Sequence, residues 1–179
     1  EGIIQYEELV EFKIELPEEM QQYASLIPTE QKTTMELSFT ATESLYKESK
    51  EIAETAANPF AQNGATVSTI MIGGGGSAVV YSNLKDQTKI KSENVMGKQF
   101  LINSTIKASE WKISGEQKEI AGYSCLKAEI TKDSSQIVAW FTPQIPVALG
   151  PHDFDGLPGI ILAVNYNKGE TNFSIQATQ

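Results

Sequence analysis

Short segments in which every second residue is apolar recur along the chain, and the breaks between most of them are too brief to hold a crossover. In Thr34–Phe39, Met35, Leu37 and Phe39 fall on one side while Glu36 and Ser38 fall on the other, the period of a half-buried strand. Comparable segments run at about Ile3–Leu16, Thr66–Ile72, Ser77–Leu84, Thr88–Val95, Gln99–Asn103, Trp111–Ser114, Tyr123–Thr131, Ile137–Thr142, Ile160–Asn165 and Asn172–Ala177. Turn-forming residues separate them at Lys85-Asp86, Gly97-Lys98, Gly115, Lys132-Asp133-Ser134 and Lys168-Gly169. Parallel neighbours need long connections, so strands this closely spaced predict an antiparallel sheet. The fold class expected is mainly β.

Helical signals are few. Pro17–Ile27 has Pro17 at a first-turn position, Glu18 and Glu19 at the positive end of the dipole, and Pro28 as a stop. Met20, Tyr23, Ala24 and Ile27 would form its apolar stripe, whose ordinary use is core packing. A second segment, Lys47–Ala57, is Ala-rich and ends before Asn58-Pro59, although a strand emerging from Leu45-Tyr46 could also continue into it. Gly73–Gly76 lacks the Lys and helix start of a phosphate cradle and reads as a turn or a close backbone approach.

The charge balance narrows the partners. The 179 residues carry 14 Lys and no Arg against 23 acidic groups, a net charge of −9. Scattered, outnumbered lysines do not make a phosphate-binding surface, which excludes nucleic acid and disfavours an anionic membrane. No apolar run approaches the roughly 20 residues of a membrane span. The length suits one domain, 1–179, with a core that needs no metal or disulfide. The chain starts at Glu1 without a Met or an apolar leader, which fits a processed protein with its export signal absent.

Catalytic candidates are sparse. Cys125 is the one thiol and His152 the one imidazole, so a Cys–His pair would have to be these two. Cys125 falls mid-strand, where a small buried thiol is the usual reading. His152, Asp153 and Asp155 cluster in one loop and could bind a divalent ion or move a proton. A zinc site would need further Cys or His ligands, and a solvated loop with an aspartate capping a turn is the simpler account. No pair of carboxylates stands out for glycoside hydrolysis, and no catalytic residue, metal or cofactor is assigned.

The loop itself is the richest part of the chain in Pro, Gly and aromatic residues: AWFTPQIPVALGPHDFDGLPGIIL, Ala139–Leu162. Pro143 and Pro146 bar central-strand pairing, Gly150-Pro151 turns the chain, and Gly156 and Gly159 flank Leu157-Pro158 before an apolar run re-enters the sheet. These residues are expected to fold over the concave face of a curved sheet, with Trp140, Phe141, Phe154 and Leu157 packed beneath. The segment Phe154–Leu162 resembles the motif of the GLPGLI family, with Ile160 in place of Leu. The early Tyr6, Met35–Phe39 leading to Glu43–Tyr46, and Tyr123–Ala128 resemble further family segments in the same order.

The resemblance implies a strongly curved antiparallel sheet, bowl-like and similar to the open half-barrels of lipoprotein carriers, with one or two short helices. It also implies export to the periplasm or cell surface, in bacteria with an outer membrane, and it lends no catalytic residues. It implies kinship, too, with a module that precedes the catalytic part of some deglycosylating enzymes. Gly156, Leu157, Pro158, Gly159 and Ile160 are then a structural signature. The function expected is a non-enzymatic envelope module binding a hydrophobic small molecule, a peptide or an envelope protein. Its candidate contacts are Phe39, Trp140, Phe141 and Phe154. Recognition of protein or glycan through strand edges or through Trp111 and Trp140 is the alternative, and a hydrolase ranks third.

Overall fold

The computed structural model describes residues 1–12, 29–49, 78–95, 98–107, 109–132 and 134–179. Eleven strands form one antiparallel sheet. They are β1 (Gly2–Phe12), β2 (Glu30–Phe39), β3 (Glu43–Glu48), β4 (Val79–Asn83), β5 (Thr88–Val95), β6 (Lys98–Thr105), β7 (Lys112–Ile120), β8 (Tyr123–Lys132), β9 (Ser135–Thr142), β10 (Ile160–Lys168) and β11 (Thr171–Ala177). No helix occurs among the described residues. The helix expected at Pro17–Ile27, most of the one at Lys47–Ala57, the strand Thr66–Ile72 and Gly73–Gly76 lie outside them. Lys47 and Glu48 belong to β3, because inward Ser44 and Tyr46 pair with Phe39 and Leu37 of β2.

The order β6-β5-β4-β3-β2-β1-β11-β10-β9-β8-β7 is two meanders joined where the first and last strands pair. Strands β6 and β7 are consecutive in sequence, yet they form opposite edges. A flat sheet of this size would be roughly 48 Å wide at 4.8 Å per strand. The six residues 106–111 between the two edges reach about 25 Å at most. The sheet must therefore curl, and it remains open between β6 and β7.

The concave face follows from register. Tyr6, Met35, Leu37, Tyr46, Val80, Ala128, Ala139, Phe141, Val164 and Ile175 share that side and are buried. The Tyr6 hydroxyl reaches past β11 to donate to the Ile161 carbonyl on β10 at 2.7 Å, a contact that curvature permits. Trp140 pairs beside Lys127 on the other face, its ring 5.7 Å from the Lys118 ammonium. It therefore does not pack beneath the loop with Phe141, since neighbours in a strand point to opposite sides.

Strand β7 runs through Gly115, where a break was expected. The glycine lies in a register shift against β8 between Ile113 and Gln117, and the strand is mostly exposed and polar, so it carries little alternation to read. The β7–β8 hairpin turns on Ala121-Gly122 with φ of 49° and 80°, the left-handed pair that a tight two-residue turn requires.

Candidate functional site

The 17 residues between β9 and β10, numbers 143–159, cross the concave face without regular structure. Loops of this length inside a compact domain usually serve a function. Their own backbone bonds fold them back: Gly156 N–H donates to Ala148 O, and Ile160 and Ile161 N–H to Ile145 O and Leu149 O. Val147, Leu149, Pro151 and Leu157 are buried, so the loop fills the bowl rather than lidding an empty one.

Two polar anchors tie it to the first meander. On β5, the Lys89 ammonium lies 2.5 Å from the Asp155 carboxylate and donates to the Asp153 carbonyl at 3.0 Å; Lys89 and Asp155 are both buried. The Trp111 indole N–H donates to the Asp155 carbonyl at 2.9 Å, adding a contact from just before β7. On β1, one oxygen of Glu8 receives the Tyr46 hydroxyl and the His152 Nε2, each at 2.5 Å. His152 holds a left-handed φ of 48°, and its ring centroid is 4.9 Å from that of Tyr46. The solvated loop expected around Asp155 is thus corrected. The Lys89 ammonium on β5 occupies the position that solvent was assigned.

Beside these anchors opens a cavity of about 510 Å³. One wall is aromatic and aliphatic, made by Trp111, Phe154, Tyr166, Phe173, Ile130 and Ile137. Tyr166 stacks flat on Phe173 at 4.7 Å, and Phe154 tilts against Tyr166 at 5.7 Å. The other wall is charged, with Lys91, Glu93, His152 and Asp153. Lys91 is paired to Glu93 and sits 3.8 Å from Asp153. The arrangement can hold a ligand with an apolar body and polar ends.

Of the four ligand contacts nominated from sequence, Phe154 alone lines this cavity, together with Trp111, His152, Asp153 and Asp155, which the sequence offered for other roles. Phe39 lines two others, of about 460 and 570 Å³, near Gly2 and Ile3. Phe141 is enclosed in the core and Trp140 lies on the opposite face. Cys125 is buried, and desolvation pushes its thiol pKa up, away from nucleophile chemistry. Among the described residues no three His, Cys, Asp or Glu side chains are placed to hold a metal ion. Glu8, Lys89, Lys91 and Glu93 were not nominated; Glu8 alternates in phase with Tyr6 within β1, a local signal, whereas Lys89, Lys91 and Glu93 take their inward phase from pairing with β4, where Lys91 faces Val80.

Burial raises the pKa of Tyr6, Tyr46 and Tyr166, with the Glu8 carboxylate adding to the effect at Tyr46 and Tyr166; Tyr166 rises to about 12. A group held protonated by the fold contributes stability that is whole below its unfolded pKa, near 10, and is lost as pH rises through the folded value. Alkaline titration is therefore expected to leave these three phenols silent near pH 10. Their phenolate absorbance should appear together with loss of near-ultraviolet circular dichroism. Ordinary titration of every tyrosine with the fold intact would contradict this.

A family described as "Protein of unknown function (Porph_ging)" has a model that matches residues 129–163, from the end of β8 through the loop to the start of β10. No curated protein matches the chain. Among solved structures, PNGF-II in its C2 crystal form aligns at 17% identity with a TM-score of 0.57, and in its P21 form at 18% with 0.57. Each alignment covers 98% of this chain and only 27% or 28% of PNGF-II, so the chain spans little more than a quarter of that protein's length. At these identities the likeness is one of fold.

Proposed function

We propose that this chain is a non-enzymatic binding module of the bacterial envelope, of the GLPGLI type, and that it takes an amphipathic small molecule or a peptide side chain in the cavity beside the signature loop. The observation that carries the reading is the cavity itself. At about 510 Å³ it falls in the usual range of ligand sites, roughly 300–1,000 Å³. It sets stacked aromatic rings opposite a charged wall, and it is bordered by a loop anchored at two points. The bowl is filled by Leu149 and Leu157, which disfavours a long acyl chain lying along its axis and favours a compact ligand at its side. The second reading, a protein- or glycan-recognition accessory module, draws support from Trp140 on the outer face and from a fold that PNGF-II carries within a much longer chain. A hydrolase has the least support, since among the described residues the cavity brings no activated nucleophile to a base.

Native mass spectrometry of chain purified from a bacterial envelope without detergent tests the proposal. The expected spectrum carries a non-covalent adduct of several hundred daltons, removable by organic extraction. Phe154→Ala is expected to remove it and Trp140→Phe to keep it. A bare polypeptide mass, or an adduct indifferent to Phe154→Ala, would move the assignment to the outer surface.

A further inference from the structure

The two edges of the open sheet are built differently. Strand β7 breaks its register against β8 and carries Lys112, Glu116, Lys118 and Glu119, the devices by which proteins blunt an edge against further pairing. Strand β6 carries a single charge, Lys98 at its first position, and none of the other devices. It pairs with β5 over eight residues without a register shift, contains no Pro, and leaves Phe100, Leu101 and Ile102 exposed at 49%, 71% and 45%. Among the described residues no strand pairs with its outer edge. An unguarded apolar edge of this kind is a template for one more strand.

Charge indicates the occupant. In a chain of net charge −9, the segment from Lys98 to Lys107 contains two exposed lysines, one near each end, and no acidic residue. We infer that β6 docks an extended peptide segment of a partner protein, alternating in apolar residues and acidic at both ends. Its apolar side chains would lie beside Phe100 and Ile102 on the concave face, with Leu101 covering the other side. A second copy of this chain is disfavoured, because it brings a further nine negative charges to the contact.

The test uses a fluorescein-labelled decapeptide of alternating Thr and Val with Glu at each end, long enough to span Lys98 to Lys107, titrated against the chain by fluorescence polarisation. Saturable binding is expected, abolished by Pro at two central positions of the peptide, which removes strand pairing. The double variant Lys98→Glu/Lys107→Glu is expected to weaken the acid-ended peptide about tenfold and to favour a lysine-ended one instead. Both lysines are exposed, so this variant should retain the parental melting temperature. Absence of saturable binding, or binding indifferent to the prolines and to the charge swap, would overturn the inference. So would sedimentation as a dimer that Leu101→Lys dissociates, since the edge would then belong to a second copy.

Discussion

Lys89→Met is expected to destabilise the chain by about 3–5 kcal/mol, because it leaves the Asp155 carboxylate buried without its counter-ion. The side chain of Asp155 is 6% exposed and that of Lys89 9%, so water cannot readily replace the lost partner. The same ammonium also holds the Asp153 carbonyl, and its removal frees the loop from β5. Urea denaturation followed by tryptophan fluorescence measures the effect. Trp111 is a local reporter, since its indole bonds the Asp155 carbonyl. The double variant Lys89→Met/Asp155→Leu is expected to recover most of the loss, because no unpaired charge remains. A loss below about 1 kcal/mol in the single variant would mean that the pair behaves as a surface ion pair and does not anchor the loop.

Gly159→Ala has the second large effect, and its origin is steric. A β-carbon at 159 would stand 2.1 Å from the Thr142 carbonyl oxygen and 2.7 Å from its carbon, both of them backbone atoms in β9. Neither can move without shifting the start of β10, where Ile160, Ile161 and Leu162 are buried. A cost of about 3 kcal/mol or more is expected, which is roughly 10 °C of melting temperature for a chain of this size. Gly156→Ala is the informative comparison. Its neighbours begin at 3.7 Å, ordinary van der Waals contact, so a β-carbon fits, but its φ of +87° strains any residue that carries one. That strain costs about 1–2 kcal/mol. Differential scanning calorimetry should rank Gly159→Ala well below Gly156→Ala in stability. The reverse order would mean that conformational strain, and not close packing, explains the signature's second glycine.

Both expectations follow from what the glycines and aspartates of the motif contact. The glycine at 159 lets two backbones approach, and Asp155 carries the charge that meets β5. Phe154, next to that aspartate, is thereby set on the edge of the cavity. The loop is thus a fixed wall of the candidate site, and variants that free it should lose the proposed ligand binding as well as stability.

Much of the sheet was legible because alternation is a local property. Met35, Leu37 and Phe39 announce a strand whatever pairs with it, and brief turns then require antiparallel neighbours. Where local signals were poor, the reading slipped. Exposed β7 has too few inward apolar residues to show its full length, and Gly115 looked like its end when it marks a register shift. The parity of Trp140 and Phe141 already forbade both from facing the loop, a rule that the four-residue packing expectation overlooked.

The residues alone determined an antiparallel β fold, the boundaries of most described strands, and the irregular loop with its glycines and prolines. Each of these depends on conformational preference within a few neighbouring positions. Only the tertiary structure decided that Glu8 on β1 and Lys89 on β5 meet His152 and Asp155, and that Phe154 rather than Phe39 borders the mixed cavity. Lys89 and Asp155 are 66 residues apart. What brings them together is the curling of the sheet, and curling is set by how all the strands pair, which no short stretch of sequence contains.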